Sequence, residues 1–291
     1  MDGSTKSMRD CRWMAGVAAI AAIAGCGGSS DGTAQRAAAA APVGRLDLSV
    51  VAVTARIGGD REISSGVVVD TDRGLILTTA HGVWGATSLK VATGIAVLHG
   101  RIVARDACDD LAVLETQPRL PGLVAVPPSA DGTLLAGRPI VAVRRKAGLP
   151  RGGQPDLVTT RVAVGAGAVK RLPRLAGSKD AVALEAPALP AAASGAPLLG
   201  EDGRLAGLAQ LVRLGGRTTR AAVPWETITA RLSELQPGGR AQYVGWRRHY
   251  RCSEALHAYA SARHPGFRRG DAQLNAPVPA TRLPGTQDVD R

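Results

Sequence analysis

Gly66-Val67-Val68-Val69-Asp70-Thr71-Asp72-Arg73-Gly74-Leu75-Ile76-Leu77-Thr78-Thr79-Ala80-His81 is the stretch from which the fold can be read. Two runs of β-branched and aliphatic residues, Gly66 to Val69 and Leu75 to Leu77, flank a connection rich in Asp, Arg and Gly. That is the pattern of short strands joined by a tight turn. It continues in both directions. Upstream lies Leu48 to Val53; downstream come Ile95 to Val97, Ile102-Val103, Leu111 to Leu114, Ile140 to Val143, Val158 to Val164, Ala181 to Leu184, Leu205 to Val212 and Ala221 to Val223. About a dozen short strands with frequent turns, and no longer repeat, indicate an all-β sandwich or barrel. Segments of helical period are missing between them, which excludes parallel βαβ units.

Helical periodicity starts late. Pro224-Trp225-Glu226-Thr227-Ile228 opens a segment to Leu235 with Ile228, Leu232 and Leu235 on one face, and Gln236-Pro237-Gly238-Gly239 ends it. A second helix is expected over Trp246 to Ala262, with Cys252, Leu256 and Tyr259 on one side. Five of the chain's eight aromatic residues lie between Tyr243 and Phe267, so an extension at 237–268 is expected to pack onto the body. The Pro-rich, polar stretch 269–291 is expected to lack fixed structure.

The chain has 291 residues, enough for one compact body with tails, and its 45% hydrophobic content argues against disorder. Aromatic residues make up only 3%, so small aliphatic side chains must fill the core. A formal charge of +12 invites a nucleic-acid reading. The basic residues are scattered, however, and no DNA- or RNA-binding motif accompanies them, so nucleic acid is not an expected partner. A basic surface facing anionic lipid or cell-wall polymer is the simpler explanation.

Lys6, Arg9 and Arg12 precede an apolar run of twelve residues, Trp13 to Ala24. A bilayer span needs about 20 residues, whereas a signal-peptide core is shorter. The run ends in Ile23-Ala24-Gly25-Cys26, followed by Gly27-Gly28-Ser29-Ser30. This resembles the bacterial lipobox, in which cleavage before the cysteine leaves it acylated; an ordinary cleaved signal with an incidental cysteine is the alternative. The expectation is a signal peptide at 1–25, lipidation of Cys26, a flexible tether to residue 45, and a mature protein held on the outer side of a bacterial membrane. Cys11 leaves with the signal and Cys26 carries lipid, so Cys108 and Cys252 remain. Outside the cytoplasm they can form one disulfide, or stay as two unrelated thiols.

Three positions carry chemistry. The stretch ending at His81 resembles the segment around the active histidine of HtrA/Deg-type members of the trypsin-like serine proteases. Twenty-nine residues on, Asp109-Asp110-Leu111-Ala112-Val113-Leu114 resembles the strand that carries the family's aspartate, and the match falls on Asp110. Eighty-four residues further, Ala193-Ser194-Gly195-Ala196-Pro197-Leu198-Leu199, followed by Asp202-Gly203-Arg204-Leu205-Ala206-Gly207-Leu208, resembles the nucleophile segment and its hairpin. The resemblance covers residues 50 to 235 and implies two six-stranded antiparallel β-barrels; with the helical periodicity above, the expectation is a barrel domain at 46–236 followed by C-terminal helices. It also implies a serine endopeptidase acting on proteins or peptides, without cofactor or metal.

The chemistry agrees. A serine hydroxyl is a weak nucleophile at neutral pH and needs a base; the base needs a carboxylate to fix its tautomer. Singly, His81, Asp110 and Ser194 could be a turn histidine, a solvated strand start and a loop residue. Together, in matching contexts, they form a candidate catalytic set. The family's motif has Gly two residues before the serine, where a backbone N–H binds the oxyanion; here Ala192 stands there, so Ala192 and Ser194 are the expected donors. Ala192-Ala193 departs from the family and supports an alternative, a pseudoprotease that binds peptides without cutting them. Ala188, Leu189 and Ala192 suggest a small apolar specificity pocket. Fifty-six residues follow Leu235, too few for the family's usual PDZ module. In its place the 243–267 helix is expected to fold back, pinned by Cys252 to Cys108, or else to rest on the membrane as a basic amphipathic helix.

Overall fold

The computed structural model describes residues 46–119, 121–129, 134, 136–148, 156–168, 181–214, 217–235 and 246–274. Cys26, the signal segment, the tether and residues 275–291 lie outside the described residues.

Alternation of side chains along the strands sets the architecture. In β1 (Val50–Ile57), β2 (Asp60–Asp70) and β3 (Leu75–Thr79), Val51, Val53, Val68 and Ile76 point into one apolar cluster. Their neighbours Val50, Val67, Leu75 and Leu77 point into another, shared with Leu199, Leu205, Leu208 and Val223. A strand apolar on both faces is therefore a strand with core on both sides. One side is a barrel interior and the other the seam with a second barrel.

The first barrel is completed by β4 (Ala86–Ala92), β5 (Val97–Asp106) and β6 (Leu111–Gln117), in the order β1-β2-β3-β6-β5-β4, with β4 pairing back onto β1. The second comprises β7 (Pro139–Arg145), β8 (Leu157–Ala168), β9 (Val182–Glu185), β10 (Pro197–Leu199), β11 (Leu205–Leu214) and β12 (Arg217–Pro224). Its order is β10-β11-β12-β9-β8-β7, closed by β7 on β10. Both sheets are antiparallel and closed, so among the described residues neither sheet ends in an edge strand. The all-β expectation of two six-stranded barrels holds. Arg145, buried at the end of β7, spans the seam: its Nε donates to the Val50 carbonyl at 2.9 Å and its guanidinium pairs with Asp47.

Three details differ from the sequence expectation. Ile95 and Ala96 are not in a strand, and β5 begins only at Val97. Thr93 Oγ1 accepts the Ile95 and Ala96 N–H groups at 3.2 and 2.9 Å, which folds a turn and leaves Ile95 57% exposed. Ala86–Ala92 and Pro197–Leu199 are two further strands. The stretch from residue 269 does not begin without structure: after α1 (Trp225–Leu235) and α2 (Trp246–Arg263) comes α3 (Arg269–Leu274). Asp271 accepts the Arg268 N–H at 3.2 Å, and Arg269 pairs with Glu254 of α2, which ties this turn to its neighbour.

The helices occupy different places. α1 buries Ile228 in the seam cluster. α2 lays Cys252, Leu256, Tyr259 and Ala260 onto the core of the first barrel, and Cys252 is bonded to Cys108, with Cα atoms 5.0 Å apart. Among the described residues, no helix is long and apolar enough to cross a membrane.

Candidate active site

His81 follows β3 and Asp110 precedes β6, and these two strands pair with Thr79 opposite Leu111. The register carries the two residues side by side: the Ala80 N–H donates to the Asp110 carbonyl at 3.0 Å, and the His81 N–H to Asp110 Oδ1 at 2.7 Å. The imidazole Nδ1 then lies 2.6 Å from Asp110 Oδ2. A carboxylate only accepts, so Nδ1 carries the proton and Nε2 is left as an acceptor. Asp110 has φ 54°, a left-handed conformation that costs a non-glycine residue energy and that Asp tolerates better than most.

Ser194 arrives from the other barrel, between β9 and β10. Its Oγ is 3.1 Å from His81 Nε2 and accepts the Leu211 N–H at 3.1 Å; Thr79 Oγ1 is 3.4 Å away. The serine loop is sewn to β2: the Ser65 N–H donates to the Ser194 carbonyl at 2.7 Å and Ser65 Oγ to the Ala192 carbonyl at 2.9 Å. Gly195 is required here. Its φ is +82°, and a Cβ on it would meet the Ser65 carbonyl oxygen at 2.1 Å.

The neighbouring aspartates divide their work. Asp109 Oδ2 accepts Arg231 Nε of α1 at 2.6 Å, and the Asp109 carbonyl accepts Gln210 Nε2 of β11 at 2.7 Å. Asp106 Oδ1 accepts the N–H groups of Cys108 and Asp109 at 2.7 and 3.0 Å. Burial and the Asp109 charge raise the Asp106 carboxyl above its usual range. The loop that holds Asp110 is thus fixed by both barrels, α1 and the disulfide.

His81 is 3% exposed and Ser194 2%. Burial pulls the imidazole pKa down, but the charge and hydrogen bond of Asp110, aided by Glu62, outweigh it, and the pKa stands above the ordinary 6.5. Arg263 opposes the rise.

The structure does not present the expected oxyanion donors, Ala192 and Ser194, as a pair. Ala191–Ala193 wind a 3-10 turn, in which the Ala193 N–H donates to the Pro190 carbonyl and the Ser194 N–H to the Ala191 carbonyl, both at 2.9 Å. An all-alanine segment favours that turn, since alanine has the highest helix propensity. Of the residues expected to line a specificity pocket, Leu189 is buried with the second-barrel core, Ala192 is half-buried and Ala188 exposed.

Residues 64–208 match the family model described as the trypsin-like peptidase domain, a span that includes His81, Asp110 and Ser194. The two-barrel body of this chain is a trypsin-like peptidase domain. Its fold is similar to that of the serine endoprotease from Yersinia pestis, at 23% identity and TM-score 0.53, over 69% of this chain and 66% of that one. It is also similar to the HtrA-type protease AlgW with tripeptide, at 21% and 0.56, over 68% and 63%. The Rv3671c protease from M. tuberculosis, active form, matches at 17% and 0.53, over 67% and 84%. The chain thus spans slightly less than two-thirds of the Yersinia and AlgW chains. A comparison with curated proteins gave no match.

Several residues around the site were given no place there by the sequence: Ser65, Thr79, Gln210, Glu62 and Tyr259. Ser65 sits beside the stretch that ends at His81 and Thr79 lies within it, so adjacency was the available signal. Tyr259 follows Cys252 by seven positions, two helical turns, which aligns it with the disulfide.

Proposed function

We propose that this protein is a serine endopeptidase acting through an acyl-enzyme. The observation that carries the reading is the unbroken chain Asp110 to His81 to Ser194, with contacts of 2.6 and 3.1 Å between groups from both barrels. In this scheme Ser194 Oγ attacks the scissile carbonyl carbon while His81 Nε2 takes the hydroxyl proton. Asp110 holds the tautomer and stabilises the imidazolium. Nε2 then returns the proton to the leaving amine as the C–N bond breaks, and water, deprotonated by the same nitrogen, releases the acyl group. Substrates are protein or peptide chains.

The tetrahedral intermediate needs N–H donors at its oxyanion, each worth about 2.7–4 kcal/mol. The Ala191 carbonyl must therefore turn away from the Ser194 N–H before that donor can serve. This engaged N–H also favours a second reading, in which the domain binds peptides without cutting them. The lipobox-like Ile23-Ala24-Gly25-Cys26 supports an anchor on the outer face of a bacterial membrane, with Cys26 acylated. Incubation of the purified protein with an unfolded protein substrate tests the enzyme reading. Cleavage that disappears in Ser194→Ala supports it; intact substrate with saturable binding of the same chain supports the second.

A further inference from the structure

The residues that define the peptidase site lie just after β3, just before β6 and on the serine loop, within the stretch that matches the family. α2 lies beyond that stretch, yet it reaches the site. Tyr259 is buried, and its ring stands edge-to-face with the His81 imidazole, centroids 5.3 Å apart and planes at 77°. Aromatic rings favour this arrangement at separations of about 4.5–7 Å.

The ring is held in place because the helix is fastened along its length. Near its start, Cys252 is bonded to Cys108, two residues before Asp110. Midway, Trp84 Nε1, three residues after His81, donates to His257 Nδ1 at 3.3 Å. At its end, Arg263 pairs with Glu62 at 3.0 Å, and His264 lies 3.4 Å from Asp60 and 3.6 Å from Glu62. Beyond it the backbone closes onto the β1–β2 hairpin, where a Cβ on Gly266 would lie 2.0 Å from the Gly58 carbonyl oxygen. Phe267 fills the space over Gly85, where a Cβ would lie 2.2 Å from Cε2. The disulfide joins the helix to the loop bearing Asp110, and the remaining contacts join it to the segments on either side of His81.

One hydrogen bond at Nδ1 fixes where the imidazole is tethered but not the plane in which it lies. Rotation about that bond would carry Nε2 away from Ser194, and a wall against the ring prevents it. We propose that Tyr259 is a positioning residue for His81, and that α2 is a strap, bonded to the Asp110 loop, that keeps the imidazole in line with both Asp110 and Ser194. The proposal rests on the reading of His81 as general base. The charged groups around His81 are Asp110, Glu62 and Arg263, the last carried by α2 itself.

The test uses the full chain with Tyr259→Leu, which keeps apolar bulk but removes the ring, and Tyr259→Phe, which keeps the ring. Two quantities are read: the proton resonance of the His81–Asp110 hydrogen bond in histidine-labelled protein, and the rate of Ser194 modification by a fluorophosphonate. In Tyr259→Leu the resonance is expected to broaden through solvent exchange and the rate to fall by about ten- to a hundred-fold, the scale of a small misplacement. Tyr259→Phe is expected to restore the sharp resonance and to bring the rate within about two-fold of wild type. A Tyr259→Leu protein with a sharp resonance and an unchanged rate overturns the proposal, as does a Tyr259→Phe protein as impaired as the leucine variant. Should Tyr259→Leu not fold, Tyr259→Met, more adaptable in a core, carries the same test. The enzyme reading fails separately: a wild type that is never modified, but whose His81 proton still depends on Tyr259, overturns the endopeptidase and leaves the strap standing.

Discussion

Replacing Ala192 by glycine is expected to accelerate acylation of Ser194. The 3-10 turn at Ala191–Ala193 holds the Ser194 N–H on the Ala191 carbonyl at 2.9 Å, and Ser65 Oγ holds the Ala192 carbonyl at the same distance. Glycine is less favourable than alanine in a helical turn by about 1 kcal/mol, so the substitution destabilises the closed turn by that amount. If the closed turn predominates, the open fraction and the rate rise together by about five-fold. The ceiling is the full value of one oxyanion donor, about a hundred- to a thousand-fold. The assay is the second-order rate constant for fluorophosphonate modification, measured beside a denaturation curve showing that the variant is folded. Ser65→Ala removes the second hold on the turn and should add to the effect. A folded Ala192→Gly protein that reacts no faster than wild type would show that the turn is not what limits the serine.

Removing both cysteines, as Cys108→Ser with Cys252→Ser, opens a loop with a sequence separation of 144 residues. Loop-closure entropy puts the cost near 5 kcal/mol, read as a lower denaturant midpoint; a loss under about 1 kcal/mol would contradict it. The raised His81 pKa places the acidic limb of kcat/KM above pH 6.5, since the imidazole must lose its proton to act as base. Glu62→Gln should move that limb down, and a wild-type midpoint below 6.5 would count against the electrostatic account. The stability contributed by the same shift is complete below pH 6.5 and is lost as pH rises through the raised value. Gly195→Ala should abolish modification of Ser194 and lower the melting temperature, because its Cβ would overlap the Ser65 carbonyl; a variant with native stability and rate would show that the barrels can part there at no cost.

Much of this was legible in the chain. Leu75-Ile76-Leu77 reads as a strand because it is continuously apolar, and in the structure its two faces serve the barrel interior and the seam. His81, Asp110 and Ser194 were legible because local motifs surround each, and the pairing of β3 with β6 turns the first two motifs into a contact. β4 was not legible: Thr87, Ser88 and Lys90 dilute its apolar pattern, while the turn at Ile95 is held by one residue, Thr93, through its hydroxyl and its N–H. The meeting of Tyr259 with His81 was out of reach for a different reason. Helical spacing gives the face on which Tyr259 lies, but what that face covers is set by a disulfide, an ion pair with Glu62 and a backbone contact at Gly58, all distant in sequence.

In the proposed mechanism one imidazole joins the Asp110 carboxylate to the Ser194 hydroxyl and makes that oxygen nucleophilic. Peptide mapping of the fluorophosphonate-treated protein by mass spectrometry tests it most directly. A single phosphonyl adduct on Ser194 is expected, lost in His81→Ala and strongly slowed in Asp110→Asn. An adduct on another serine, or one on Ser194 that persists unchanged without His81, would contradict it.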